Sequence, residues 1–149
     1  MYKSILVPTD GSERSHAAIK EAAKLARALG SKLVLFYAAP HYESPPVSEG
    51  FLAPNWLKDR ESAKREIDAE AEKLLASAAK NVHLAGLGVE QKFAVSNSPY
   101  EAIIEAAKKF ECELIVMASH GRRGMSGLLI GSETQKVLTY STIPVLVVR

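Results

Sequence analysis

A glycine-rich stretch late in the chain holds the residue types best suited to binding an anion. It runs from Met117 to Ser132 and contains four of the nine glycines, two arginines and several small hydroxyl side chains. The apolar run Leu114–Met117 predicts a strand before it, and the residues from Ser132 to Leu138 predict a helix after it. A helix start offers free backbone N–H groups and the positive end of the helix dipole, and glycines let the backbone approach a ligand closely. The stretch therefore predicts a phosphate cradle for a nucleotide.

Two common phosphate motifs do not account for this stretch. The dinucleotide fingerprint follows the first strand, reads G-x-G-x-x-G and needs an acidic residue about 20 positions later. The spacing Gly121-x-x-Gly124-x-x-Gly127 is different, and too little chain follows Ser132 to supply the acidic partner. A Walker A loop, G-x-x-x-x-G-K-[ST], occurs nowhere in the chain.

Composition limits the class of protein. The chain has 149 residues, a net charge of +2 and 47% hydrophobic residues, which predicts one domain spanning residues 1–149. The mild positive charge is interspersed along the sequence, so we expect no nucleic-acid partner. Cys112 is the only cysteine, which excludes an intrachain disulfide. With neither a signal sequence nor a long apolar run, we expect no membrane association and a cytoplasmic location.

Periodicity predicts five strands alternating with four helices. The helix after the first strand has Ser12 as its N-cap and Gly30 as its C-terminal glycine, and the second helix is predicted over Asp59–Ala79. Capping boxes are predicted at the starts of the last two helices, formed by the pairs Ser98/Glu101 and Ser132/Gln135. Residues 39–57 hold four of the seven prolines and predict a long variable loop. The predicted strands are Ile5–Val7, Lys32–Ala38, Val89–Val95, Leu114–Met117 and Ile143–Val148.

This alternation predicts an α/β fold with an open, doubly wound, five-stranded parallel sheet in the order 3-2-1-4-5. In such sheets the ligand crevice lies at the carboxyl ends of the strands, where winding reverses, here between strands one and four. Pro8-Thr9-Asp10 and the glycine-rich stretch follow these two strands. Both the topology and the residue types therefore select the same place, where we expect Asp10 to contact the ligand; the alternative is that it simply caps the turn that follows its strand.

The glycine-rich stretch resembles the nucleotide signature of the universal stress protein family. That signature is glycine, two residues, glycine, nine residues, glycine, then serine or threonine, and here it reads Ala118-x2-Gly121-x9-Gly131-Ser132. The resemblance extends to the opening segment 5–12, to Ser119-His120-Gly121-Arg122 and to the closing segment 143–148. It covers essentially the whole chain, but its first glycine is replaced by Ala118.

The resemblance implies a Rossmann-like fold that binds ATP, ADP or AMP, with Mg²⁺ or Mn²⁺ accompanying the phosphates. It implies that adenosine contacts the end of strand one and Ala38, that the ribose lies by Met117 and Ala118, and that the phosphates meet the loop and the start of the last helix. It also implies a homodimer formed through the edge strand Ile143–Val148. The complete implied site is Pro8, Thr9, Asp10, Ala38, Met117, Ala118, Ser119, His120, Gly121, Arg122, Gly131, Ser132 and Glu133.

Three functions remain open on the sequence. The first is a nucleotide-binding regulatory protein of the stress response. The second is a slow ATPase or nucleotidyl-transfer enzyme, but Ser119 and His120 have no evident third orienting residue, so no catalytic residue is assigned. The third is an interaction module that has lost nucleotide binding, because a position requiring φ > 0 would penalise Ala118 by about 1 kcal/mol. No metal-ligating side chain is assigned.

Overall fold

The sheet has five parallel strands in the order β3-β2-β1-β4-β5, as predicted. The computed structural model describes residues 1–41, 56–84, 86–120 and 130–149. The strands are β1 Ser4–Pro8, β2 Lys32–Ala39, β3 Val89–Val95, β4 Leu114–Ala118 and β5 Val145–Val148. The helices are α1 Glu13–Leu29, α2 Trp56–Leu84, α3 Pro99–Lys109 and α4 Ser132–Tyr140.

The central strands bury both of their faces. Ile5 and Val7 of β1 pack with α1 and α2, whereas Leu6 packs with α3 and α4. Alternation along a strand sends neighbouring side chains to opposite faces, so a continuous apolar run is what a doubly covered strand requires. Helices α1 and α2 therefore cover one face of the sheet, and α3 and α4 cover the other.

Helix α1 begins and ends as predicted. Ser12 is its N-cap, and the Ser12 hydroxyl accepts a hydrogen bond from the Ser15 N–H. Gly30 ends it with a φ of 68°, a left-handed conformation that favours glycine. Both ends of the helix that follows β1 are thus fixed by local chemistry.

Helix α2 is longer than predicted. It begins at Trp56 and ends at Leu84, whereas the prediction was Asp59–Ala79. Its apolar stripe continues beyond Ala79, because Val82 is buried against the same core as Leu75 and Ala78. The predicted loop 39–57 overlaps both neighbouring elements, since β2 includes residue 39 and α2 includes residues 56 and 57. Most of this prediction, residues 42–55, lies outside the described residues. Among the described parts of the chain, no helix combines the length and apolar character needed to cross a bilayer.

Both predicted capping boxes are wrong. Ser98 is the N-cap of α3, but its side chain makes no capping hydrogen bond. The Glu101 carboxylate instead accepts a hydrogen bond from the Tyr100 hydroxyl at 2.8 Å. In α4 the N-cap is Gly131, so Ser132 is already the first helical residue and cannot cap the helix.

Candidate functional site

The sheet opens between β1 and β4 at its carboxyl edge. The pairing of β1 with β4 ends at Leu6–Ile115, although β1 continues to pair with β2 and β4 with β5. Beyond this pair, the last residues of β1 pair only with β2, and the last residues of β4 pair only with β5. Extending the register sets Pro8 level with Met117, and Thr9 level with Ala118, on the two sides of this opening.

Thr9 fixes the first turn after β1. Its N–H donates to the Phe36 carbonyl at 2.8 Å, which extends the pairing with β2 by one residue. Its buried hydroxyl accepts from the Gly11 N–H at 3.2 Å and lies 3.0 Å from the Ser15 hydroxyl oxygen. Because these bonds occupy the hydroxyl, the backbone of Thr9 is the part best placed to meet a ligand.

Asp10 stabilises the same turn. Its Oδ1 accepts a hydrogen bond from the Ser12 N–H at 3.0 Å, and the intervening Gly11 has a φ of 76°. This is the turn-capping role that the sequence left open for Asp10. Only glycine adopts such a φ at no steric cost, so Gly11 allows the chain to reverse directly into α1.

Ala118 lies in regular β structure. It is the last residue of β4, it pairs with Val148, and the described non-glycine residues with positive φ are Tyr2 and Glu111 alone. Its carbonyl accepts a hydrogen bond from the Thr134 hydroxyl at 2.9 Å. An extended backbone accommodates alanine without strain, so the conformational penalty considered for the missing glycine does not apply here.

Gly131 packs directly on the end of β4. Its N–H donates to the Ser119 carbonyl at 2.7 Å. A Cβ at this position would lie 3.1 Å from that carbonyl oxygen and 3.3 Å from the Cα of His120. The φ of Gly131 is −60°, which any residue adopts, so close packing rather than backbone conformation favours glycine here.

Ser119 and His120 form a hydrogen-bonded pair next to this junction. The Nδ1 of His120 lies 3.1 Å from the Ser119 hydroxyl oxygen, and the histidine is buried. Gly121 and Arg122, which the resemblance assigns to the phosphates, lie outside the described residues.

The first turn of α4 has backbone donors without an acceptor inside the helix. Its first intrahelical bond runs from the Gln135 N–H to the Gly131 carbonyl at 2.9 Å. The amides of residues 132–134 precede that bond and have no intrahelical acceptor, and a glycine N-cap has no side chain to cover them. Ser132 is exposed, and its hydroxyl has no hydrogen-bond partner within the described chain. This turn therefore presents several donors and a helix dipole to the carboxyl edge of the sheet.

The carboxylate of Glu133, a residue of α4, is hydrogen-bonded to the start of α3. Its Oε2 accepts a hydrogen bond from the Tyr100 N–H at 3.0 Å, and its Oε1 lies 2.9 Å from the Lys136 Nζ. The hydrogen bond to Glu133 raises the pKa of Lys136, so this lysine stays protonated well above neutral pH. The contact between Glu133 and Lys136 has the i,i+3 spacing of neighbours on a helix and could be read from the sequence. The contact with Tyr100 could not, because the two residues are 33 positions apart.

The remaining predicted residues lie at or near the carboxyl ends of the strands. Pro8 is the last residue of β1, and Ala38 lies one residue before the end of β2; both are half-buried. Ala38 packs against the core beneath α3 and α4, and Met117 is buried in that same core. The Met117 side chain is therefore part of the core, so only its backbone is available to a ligand.

The open, doubly wound parallel sheet, with a helix start beside its switch point, places this protein in the class of Rossmann-like α/β proteins. The chain belongs to the universal stress protein family, whose model matches residues 1–149. A universal stress protein of Thermus aquaticus is 34% identical over 152 residues, and the match covers 100% of both chains.

Solved structures give the same fold. MJ0577, a universal stress protein of Methanocaldococcus jannaschii, has a TM-score of 0.78 at 27% identity and covers 99% of this chain and 96% of its own. A universal stress protein crystallised in complex with cAMP has a TM-score of 0.69 at 29% identity, covering 99% of this chain and 97% of its own.

Proposed function

We propose that this chain binds an adenine nucleotide in the opening between β1 and β4, with the phosphates on the first turn of α4. The observation that carries the proposal is the start of α4, whose glycine N-cap has no side chain to cap it and which is joined to the end of β4 through Gly131 and Thr134. An anion is the natural partner of such a helix start. The cAMP-bound relative, which has the same fold, supports an adenine nucleotide as the ligand.

The adenosine end of the ligand would lie against β1 and β2. Pro8 and Ala38 are small and half-buried, so they leave room for a flat base above the strand ends. Thr9 and Asp10 would contribute mainly through the rigid turn that they form. The ribose would rest by the backbone of Met117 and Ala118, where the methyl group of Ala118 carries no backbone penalty. This last point argues against the interaction-module alternative.

The phosphates would be held by the amides of residues 132–134 and by the Ser132 hydroxyl. Gly121 and Arg122 remain sequence-based candidates for the same role. The residues that the structure describes contain no group of three His, Cys, Asp or Glu side chains that could hold a metal ion. Mg²⁺ or Mn²⁺ would therefore be bound chiefly by the phosphate oxygens and water, and it would neutralise part of the phosphate charge.

The proposed role of binding is regulatory, in the stress response, with at most slow hydrolysis. The Ser119–His120 pair is the arrangement that an ATPase alternative would have to use. If this pair were catalytic, wild-type protein would release phosphate from ATP steadily and His120→Ala would abolish that release. A nucleotide ligand also agrees with the cytoplasmic location expected from the sequence.

Thermal unfolding with and without ligand tests the proposal. At a ligand concentration one hundred times Kd, the stabilisation is about 2.7 kcal/mol, which raises the Tm of a domain of this size by roughly 5–10 °C. We expect this shift with AMP, ADP or ATP in the presence of Mg²⁺. No shift with any of them would contradict the proposal.

Ser132→Ala locates the phosphates. It removes the exposed hydroxyl at the start of α4, so we expect weaker binding of AMP. Ser77→Ala, which removes an exposed hydroxyl in the middle of α2, is the matched control and should leave the shift unchanged. Bulky substitutions at Gly131 do not serve this purpose, because their side chain would collide with Ser119 and His120 whether or not a ligand is bound.

We further propose that the chain forms a homodimer through β5. This strand lies at the edge of the sheet, hydrogen-bonded to β4 on one side. Leu146 on this strand is 44% exposed, and the apolar Leu138 and Tyr140 at the end of α4 are also exposed. An uncovered apolar edge of this kind favours pairing with another chain, and a second copy presents a matching strand.

A further inference from the structure

The starts of α3 and α4 are joined by one side chain. Glu133 is the second residue of α4, and its Oε2 accepts a hydrogen bond from the N–H of Tyr100, the second residue of α3. Ser98, the N-cap of α3, provides no side-chain capping bond. Glu133 therefore caps α3 from a different helix, 33 residues away in the sequence.

A small cluster holds this carboxylate in place. We define the Tyr100 cluster as Tyr100, Glu133, Lys136 and Tyr140. The Lys136 Nζ lies 2.9 Å from Glu133 Oε1 and 5.2 Å from the centre of the Tyr100 ring. The rings of Tyr100 and Tyr140 are 5.6 Å apart. Each of the two oxygens of Glu133 has its own partner, and its negative charge is balanced by an adjacent positive charge.

We infer that Glu133 is a positioning residue of the phosphate site, which fills the start of α3 with an internal anion and leaves the start of α4 open for the ligand. This inference rests on the proposed function. A carboxylate in the first turn of a helix is attracted to the free amides and dipole of its own helix. Bound to Tyr100 and Lys136, the carboxylate of Glu133 is kept off the donors that a phosphate needs.

The charge balance of the cluster matters for the same reason. Glu133 and Lys136 together add no net charge beside the start of α4, so removing either one leaves an unbalanced unit charge near the ligand. The effect of that charge grows with the charge of the ligand, from adenosine through AMP and ADP to ATP. For charges about 10 Å apart in water, the expected change in ATP affinity is about threefold to tenfold at low salt.

Calorimetric titration of the chain with these four ligands, at low salt and with EDTA in place of Mg²⁺ so that each added phosphate adds negative charge, tests the inference. Glu133→Gln keeps an oxygen that accepts from the Tyr100 N–H and removes the negative charge, so ATP should bind several-fold more tightly and adenosine unchanged. Lys136→Met removes the positive charge and keeps the aliphatic stem, so ATP should bind several-fold more weakly. Glu21→Gln and Lys24→Met are matched controls, because this pair on α1 has the same i,i+3 spacing and an N–O distance of 2.6 Å.

The pattern across ligands decides the outcome. Opposite effects of Glu133→Gln and Lys136→Met that increase with the number of phosphates, with no effect in the controls, support the inference. Equal effects on adenosine and ATP would mean a purely structural role and would overturn it, as would affinities unchanged in both variants. Wild-type protein that binds none of the four ligands would instead refute the proposed function, and the inference with it.

Discussion

Gly131→Ala should destabilise the protein even though its backbone conformation suits alanine. The added Cβ would lie 3.1 Å from the Ser119 carbonyl oxygen and 3.3 Å from the His120 Cα, both of them backbone atoms that cannot rotate away. The same carbonyl accepts the Gly131 N–H at 2.7 Å, so relieving the overlap also stretches this hydrogen bond. Overpacking of this kind costs about 1–3 kcal/mol.

The measurement is thermal and urea unfolding of Gly131→Ala beside Gly88→Ala. For a domain of this size a loss of 1–3 kcal/mol lowers Tm by roughly 2–12 °C. Gly88 is exposed, has no atom within 4 Å of an added Cβ and does not have a positive φ, so it is the matched control. We expect Gly88→Ala to be neutral, or to stabilise by about 0.4–1 kcal/mol through the unfolded chain. If Gly131→Ala were as stable as Gly88→Ala, the close packing of Gly131 on β4 would be refuted.

Two further predictions concern the edge strand and the cysteine. Leu146→Lys places a charge on the exposed side of β5. By light scattering at micromolar concentration, the wild-type protein should be a dimer and the variant a monomer. A monomeric wild-type protein would contradict the proposed homodimer. Burial raises the pKa of the Cys112 thiol, so it should react with iodoacetamide far more slowly at pH 7 in native protein than in urea. Because the thiolate is the reactive form, the native rate should rise as pH increases toward the raised pKa. Equal rates in native and unfolded protein would contradict its burial.

The sheet was predictable because each buried strand is a continuous apolar run and each crossover is a periodic helix. The order of the strands then followed from the rules of parallel α/β folds. The ends of the elements were less certain: β2 extends to Ala39, and α2 continues to Leu84 because Val82 prolongs its apolar stripe. Such boundaries depend on tertiary packing, which local propensity does not determine.

The caps of α3 and α4 show what local patterns miss. The Ser98/Glu101 spacing fits a capping box, yet the capping carboxylate comes from Glu133, and no local motif identifies a partner that distant. The preference for glycine at Gly131 likewise arises from contact with Ser119, which lies twelve residues earlier in the chain, and not from its own φ. The strand and helix ends that carry the proposed site residues were predictable from topology, whereas the hydrogen-bond partners of these residues needed the folded chain.

The most direct test of the central claim is a ¹⁵N–¹H NMR titration of the protein with AMP. We expect large shifts for the amides of Ser132, Glu133 and Thr134, because these amides donate to the phosphate in the proposed complex. Smaller shifts are expected at Thr9 and Asp10. Adenosine should reproduce the shifts at Thr9 and Asp10 but not those at the start of α4. Saturable AMP binding that leaves the three α4 amides unmoved would contradict the account.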